Sequence, residues 1–180
     1  MKDTARKRIN SLEREQFRSA MRRAAQTIAI VTVGAQPDRK GFTATSYCSA
    51  SDDPPTLLVC VNKNTSALPF LLSSSHFALN LLAHHHQLVA DEFAGRSGKH
   101  GEERFVAFEW RRNCYEAPVL KKSLAGFVCR KERLYVHGDY AVITGIVDSI
   151  SLGLQSDPLI YLDGKYCRVQ LGASSRLTPF

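Results

Sequence analysis

A chain of 180 residues, 44% apolar and 23% charged, is sized for one domain with one substantial core. No apolar run reaches the roughly 18 residues of a membrane span, and the opening MKDTARKRIN carries charges in place of an apolar signal core, so the expected location is cytoplasmic. The net charge of +7 is concentrated at one end: residues 1–23 hold eight Lys and Arg against three acids. That pattern describes a flexible basic arm over residues 1–12 and a folded domain over 13–180. Aromatics do not alternate with these charges, so a solvated arm and helix face is favoured over nucleic-acid binding.

In chain order, Asn10 and Glu13 have capping-box spacing, and Phe17, Ala20, Met21 and Ala24 recur at helical period. Residues 27–33 form a β-branched strand, 34–38 a turn and 40–47 a second strand, which together read as a hairpin. Asp52-Asp53-Pro54-Pro55 breaks the chain. The apolar run 56–61 is expected to be a strand buried on both faces. Helix is expected over 65–72, strand over 76–82, and a further helix through Leu88, Val89 and Phe93 to Gly95. Residues 95–118 have little period and read as a long loop. Strands are expected over 125–135, 139–150, 159–161 and 166–169. Many strands with a few short helices describe a mainly β fold, a barrel with added helices.

The usual chemical signatures fail in turn. AGRSGKHGEE (94–103) is neither a dinucleotide fingerprint nor a P-loop. Three consecutive histidines, 84–86, point about 100° apart on a helix and cannot converge on one ion. Five cysteines, at 48, 60, 114, 129 and 167, include no C-x-x-C pair, so free thiols are expected and no metal site. No G-x-S-x-G elbow is present. One stretch stands out, GFTATSYCSASDDPPTLLVCVNKNTSA (41–67), where a row of hydroxyls precedes a strand ending in Asn62-Lys63-Asn64. Hydroxyls and turn amides of this kind can bind phosphate and polyol oxygens, and Lys63 can add charge.

That stretch, with FRSAM (17–21), FALNLL (77–82), DEFAG (91–95), ERF (103–105), APVL (117–120), HGDYAVITGIV (137–147) and PLIYLDGKY (158–166), resembles the short-chain flavin reductase family. These are reductase components of two-component flavin-dependent monooxygenases, the 4-hydroxyphenylacetate 3-monooxygenase reductase among them. The resemblance implies an FMN-binding split β-barrel, a homodimer, and NADH- or NADPH-dependent reduction of free FMN or FAD for a separate oxygenase acting on an aromatic compound. It implies a flavin site at Gly41, Phe42, Thr43, Ala44, Thr45, Ser46, Cys48, Ser49, Ala50, Val61, Asn62, Lys63, Ser66, Ala67, Glu92 and Phe93. It implies nicotinamide contacts at His137, Tyr140, Asp163, Gly164, Lys165 and Tyr166. The family commonly has Gly-Asp-His where this chain has Gly138-Asp139-Tyr140, with His137 just before. Alternation leaves two readings of Tyr140, a nucleotide contact or a core aromatic sharing a face with Val142 and Thr144. No residue is expected to act as a catalytic acid or base, because the cofactors carry the chemistry. Two alternatives stand beside this reading: a split-barrel flavoprotein that keeps its flavin and reduces another substrate, and a basic non-enzymatic binding protein.

Overall fold

The β-branched run expected as one strand changes sheets at Ile28. In the computed structural model, which describes residues 11–169, helix α1 (Ser11–Arg22) leads into strand β1 (Gln26–Thr27), and β2 (Ala29–Val33) follows one residue later. Between them the Ile28 N–H donates to the Leu159 carbonyl, and the Ile28 carbonyl accepts from Leu82 N–H. The expected basic arm over 1–12 falls almost entirely on residues 1–10, outside the described part. Among the described residues no helix is long and apolar enough to cross a membrane.

Beyond β2 come β3 (Lys40–Ala44), β4 (Tyr47–Asp52), β5 (Pro55–Asn62), helix α2 (Leu68–Ser73) and β6 (His76–Leu81). A 3-10 turn over His84–His86 runs into α3 (Gln87–Phe93). The stretch 95–118, read as loop, contains α4 (Glu103–Val106) and β7 (Trp110–Arg111), and β8 (Val119–Leu120) follows it. The chain closes with β9 (Ala125–His137), β10 (Tyr140–Leu152), β11 (Leu159–Leu162) and β12 (Lys165–Arg168).

Seven strands make one antiparallel sheet in the order β3-β2-β6-β9-β10-β5-β4, while β1-β11-β12 and β7-β8 form smaller sheets. Phe42 and Ala44 of β3 share a core cluster with Val59 and Val61 of β5, although four strands separate β3 from β5 in the sheet. The sheet therefore curls until its two sides meet, as twisted strands do when they close around side chains. This is the mainly β split barrel that the sequence implies. Each large side chain buried there, such as Phe77, Leu79 or Ile143, contributes about 1.5–3 kcal/mol.

Burial on both faces belongs to β2 rather than to 56–61. Val31 faces the barrel interior, and Ile30 faces a second cluster built with Val89, Ala90, Phe93 and Phe105. In β5 only Val59 and Val61 are core, while Leu58 and Cys60 are partly exposed. The second strand of the hairpin, expected over 40–47, breaks at Thr45-Ser46, and β4 moves to the far edge beside β5. Asp52–Pro55 is the turn between β4 and β5.

Candidate functional site

The break between β3 and β4 opens a cavity of about 460 Å³, within the size range of small-molecule sites. One wall is Gly41–Ser46. Opposite stand Cys60 and Asn62 of β5 and the turn residues Asn64, Thr65 and Ser66. Phe93, Ala94, Gly95 and Arg104 close a third side, and Tyr140 stands at the mouth.

Strand alternation sorts these residues. On β5, Cys60 and Asn62 face the cavity because Val59 and Val61 face the core. On β10, Tyr140 pairs with Asn62 and Val142 with Cys60, so Tyr140 lies on the cavity face. Ala141 and Ile143 take the core face, and Tyr140 is 46% exposed. The reading of Tyr140 as a packed core aromatic is thereby overturned. His137 pairs with Tyr140 across the hairpin but is exposed and does not line the cavity.

Gly41 lies against the Phe93 ring, where an added Cβ would come within 2.7 Å of Cε1. Thr43 Oγ1 donates to the Ala90 carbonyl at 2.7 Å, fastening α3 to β3. That hydroxyl joins two elements and leaves its oxygen to accept. Asn62 Oδ1 accepts from Asn64 N–H at 2.9 Å, and the Lys63 N–H donates to the Asp139 carbonyl at 3.0 Å. These bonds shape the turn that presents Asn64–Ser66.

Among the described residues no carboxylate lines the cavity, and Arg104 is its one formal charge. The Cys60 thiol is pushed up, first by burial and then by neighbouring Cys48, so it stays protonated near neutral pH and is a poor nucleophile. Neutral hydroxyls and amides, one cation and an aromatic wall suit a flat ring carrying a polyol and an anionic end.

The expected residues divide accordingly. Gly41–Ser46, Asn62, Ser66, Phe93 and Tyr140 meet at this cavity. Val61 and Ala67 are core. Cys48, Ser49 and Ala50 lie exposed on edge strand β4, and Lys63 is exposed on the turn. Glu92 is buried behind the cavity wall and faces a second cavity of about 470 Å³. Gly164, Lys165 and Tyr166 line that second cavity with Asp91, Arg96 and Ser97. There Tyr166 donates to Asp91 Oδ1 at 2.8 Å, and Arg96 bonds Asp91 at 2.8 Å and the Tyr161 hydroxyl at 3.1 Å. Burial, then the bond to Asp91, pushes the Tyr166 phenol well up. Asp163 turns instead toward α1, its N–H donating to the Arg22 carbonyl at 2.9 Å. Asn64 and Thr65 fall within the Asn62–Ala67 segment that the resemblance implies, whereas reading the sequence missed Cys60, Ala94, Gly95 and Arg104. The Glu103-Arg104-Phe105 motif was the available signal for the last.

The flavin reductase like domain description matches residues 21–170. FMN reductase (NADH) RutF 1 of Methylorubrum extorquens is 38% identical over 150 residues, covering 83% of this chain and 74% of the relative. Among solved structures, the NADH:FAD oxidoreductase SgcE6 of Streptomyces globisporus, in complex with NAD and FAD fragments, superposes with a TM-score of 0.82 at 26% identity. That similarity covers 92% of this chain and 98% of SgcE6. BorF, the flavin reductase component of a bacterial two-component tryptophan halogenase, gives a TM-score of 0.80 at 29% identity, covering 87% and 98%. With a curled split barrel, a donor-rich cavity beside α3 and a family match across residues 21–170, the chain belongs to the flavin reductase like domain family.

Proposed function

We propose that the chain is an NAD(P)H-dependent flavin reductase that binds FMN or FAD reversibly and releases reduced flavin to a separate monooxygenase acting on an aromatic compound. The carrying observation is the cavity between Gly41–Ser46 and Asn62–Ser66, whose described lining is rich in neutral donors, has no carboxylate and bears one guanidinium. The names of the Methylorubrum and Streptomyces proteins, with FMN, FAD and NADH in them, support the ligand choice. The place of BorF in a two-component system supports delivery to a partner.

Bound flavin supplies a two-electron acceptor for the hydride of a dihydronicotinamide. The residues of the chain bind and orient. Gly41 brings β3 backbone against the Phe93 ring, and Thr45, Ser46, Asn62 and Ser66 offer polar partners along the wall. Tyr140 at the mouth and the second cavity at Gly164–Tyr166 are the proposed nucleotide contacts. Cys48, Ser49 and Ala50 lie on an exposed sheet edge, and unpaired edges favour pairing with another chain. A homodimer covering β4 would bring these three toward a flavin. Light scattering should then give about twice the 20.0 kDa chain mass.

The deciding experiment is oxidation of NADH and NADPH by the purified protein with and without added FMN or FAD. Flavin-stimulated oxidation that is restored by flavin after dialysis supports the proposal. Absence of any flavin stimulation overturns it, and a flavin that survives dialysis assigns the chain to the flavin-retaining alternative.

A further inference from the structure

The glycine-rich loop AGRSGKHGEE, which matched no phosphate-binding motif in sequence, is a constructed strap. Gly95, Gly98 and Gly101 have φ of 78°, 76° and 52°, the left-handed region that glycine enters at no steric cost. These turns fold the loop back onto α3. There Ser97 Oγ donates to Glu92 Oε2 at 2.9 Å, and Lys99 Nζ to Glu92 Oε1 at 2.5 Å. The Lys99 carbonyl in turn accepts from Arg104 Nε at 2.8 Å. With Nε committed to the loop, the two terminal nitrogens of Arg104 make no hydrogen bond among the described residues, and Nη2 rests 3.5 Å from where a Cβ on Gly95 would stand.

We propose that Arg104, held in place by the Glu92-centred strap, is the residue by which this cavity recognises the phosphate end of its flavin. The proposal rests on the flavin reading above. Arg104 makes no ion pair among the described residues, and the nearby acids are committed: Glu92 to Lys99, Glu102 to Arg39, and Glu103 to the His100 N–H. Glu92 feels the Arg104 charge, but its oxygens are taken by Lys99 and Ser97, so the guanidinium has no bonded counter-ion among the described residues where it borders the cavity. Asn64, Thr65 and Ser66 line the same cavity and add amide and hydroxyl donors. A guanidinium fork with neighbouring donors suits the oxygens of a phosphate better than a lone ammonium does. Lys63, the cation singled out from sequence, is exposed and outside the lining. The Lys99 hydrogen bond, ahead of opposing burial and the Ser97 bond, holds the Glu92 carboxyl below its ordinary range, so the strap is charged at neutral pH. Glu92 touches the ligand only through this chain of bonds and is a positioning residue.

The test is a set of binding titrations with riboflavin, FMN and FAD on the full chain, as wild type, Arg104→Gln and Glu92→Gln. Wild type should bind FMN at least roughly tenfold tighter than riboflavin, the weight of a charge-assisted bond. Arg104→Gln should bring FMN down to the riboflavin level and leave riboflavin unchanged. Glu92→Gln should weaken FMN in part, again sparing riboflavin, which a merely structural role would not do. Inorganic phosphate should compete with FMN and not with riboflavin in the wild-type protein, a measurement that needs no variant. Equal wild-type affinity for FMN and riboflavin, equal loss of both in Arg104→Gln, or no competition by phosphate would overturn the assignment. A wild-type protein that binds no flavin, riboflavin included, overturns the functional reading itself.

Discussion

Phe93 closes directly over Gly41, leaving no room for a side chain: a Cβ at 41 would sit 2.7 Å from Phe93 Cε1 and 2.9 Å from the Val31 carbonyl oxygen. The ring cannot swing away freely, because it stacks edge-on against Phe105 at 4.9 Å and Trp110 at 5.5 Å between ring centres. Gly41→Ala should therefore separate α3 from β3. The expected cost is about 1–3 kcal/mol of stability, as for an overpacked core, with a loss of flavin affinity. Denaturant unfolding and a flavin titration check both, and an unchanged midpoint would show that the contact is soft.

Asn62 presents its side chain to the cavity and also holds the turn through Asn64 N–H. Asn62→Ala should weaken flavin binding by about 1–3 kcal/mol while the protein stays folded. A variant that unfolds, or one that keeps wild-type affinity, would make the asparagine a structural residue alone.

Tyr140 and His137 face each other across the β9–β10 hairpin, yet only Tyr140 lines the cavity. Tyr140→Phe should raise KM for NADH about fivefold, the loss of one hydrogen bond of about 1 kcal/mol, with little change in flavin affinity. His137→Ala should leave KM as it is. The reverse result in steady-state kinetics would move the nucleotide contact to His137.

The buried Thr144 hydroxyl has no hydrogen-bond partner among the described residues. Thr144→Val keeps the shape and removes the unsatisfied oxygen, so thermal unfolding should show equal or higher stability, by up to about 1 kcal/mol. A clear destabilisation would reveal a hidden partner for that oxygen.

His86 gives the fold a built-in acid sensitivity. Its Nδ1 accepts from Ala83 N–H at 3.2 Å, which requires the neutral ring. Burial first, then His85 and His84, lowers its pKa to about 4. The unfolded chain takes up a proton near the ordinary value of 6.5. Stability from this group is therefore fully present above 6.5 and lost progressively as pH falls toward 4, by about 1–3 kcal/mol. Denaturant midpoints measured across this window should fall for wild type, while His86→Gln should be flatter. Parallel slopes would assign the acid sensitivity to other groups.

Most of the strands and their order along the chain were legible because period-two patterns and turn residues act locally, whereas β4, β7 and β8 were not. Ala125–His137 and Tyr140–Leu152 lie within two residues of where alternation puts them. The hydroxyl run after Gly41 was likewise visible as a surface with polar work to do. Tertiary structure decided which face of each strand is inside, since alternation gives two faces and leaves their destinations open. Val61 went to the core and Asn62 to the cavity, and Tyr140 took the cavity face because Ala141 and Ile143 fill the core. Ile28 shows a second limit: its strand run is continuous in sequence, but Leu159 and Leu82, more than fifty residues away, split it between two sheets. Arg104 shows a third. It reaches the cavity through three glycine turns and a buried carboxylate on the preceding helix, so its placement depends on contacts that no local pattern encodes.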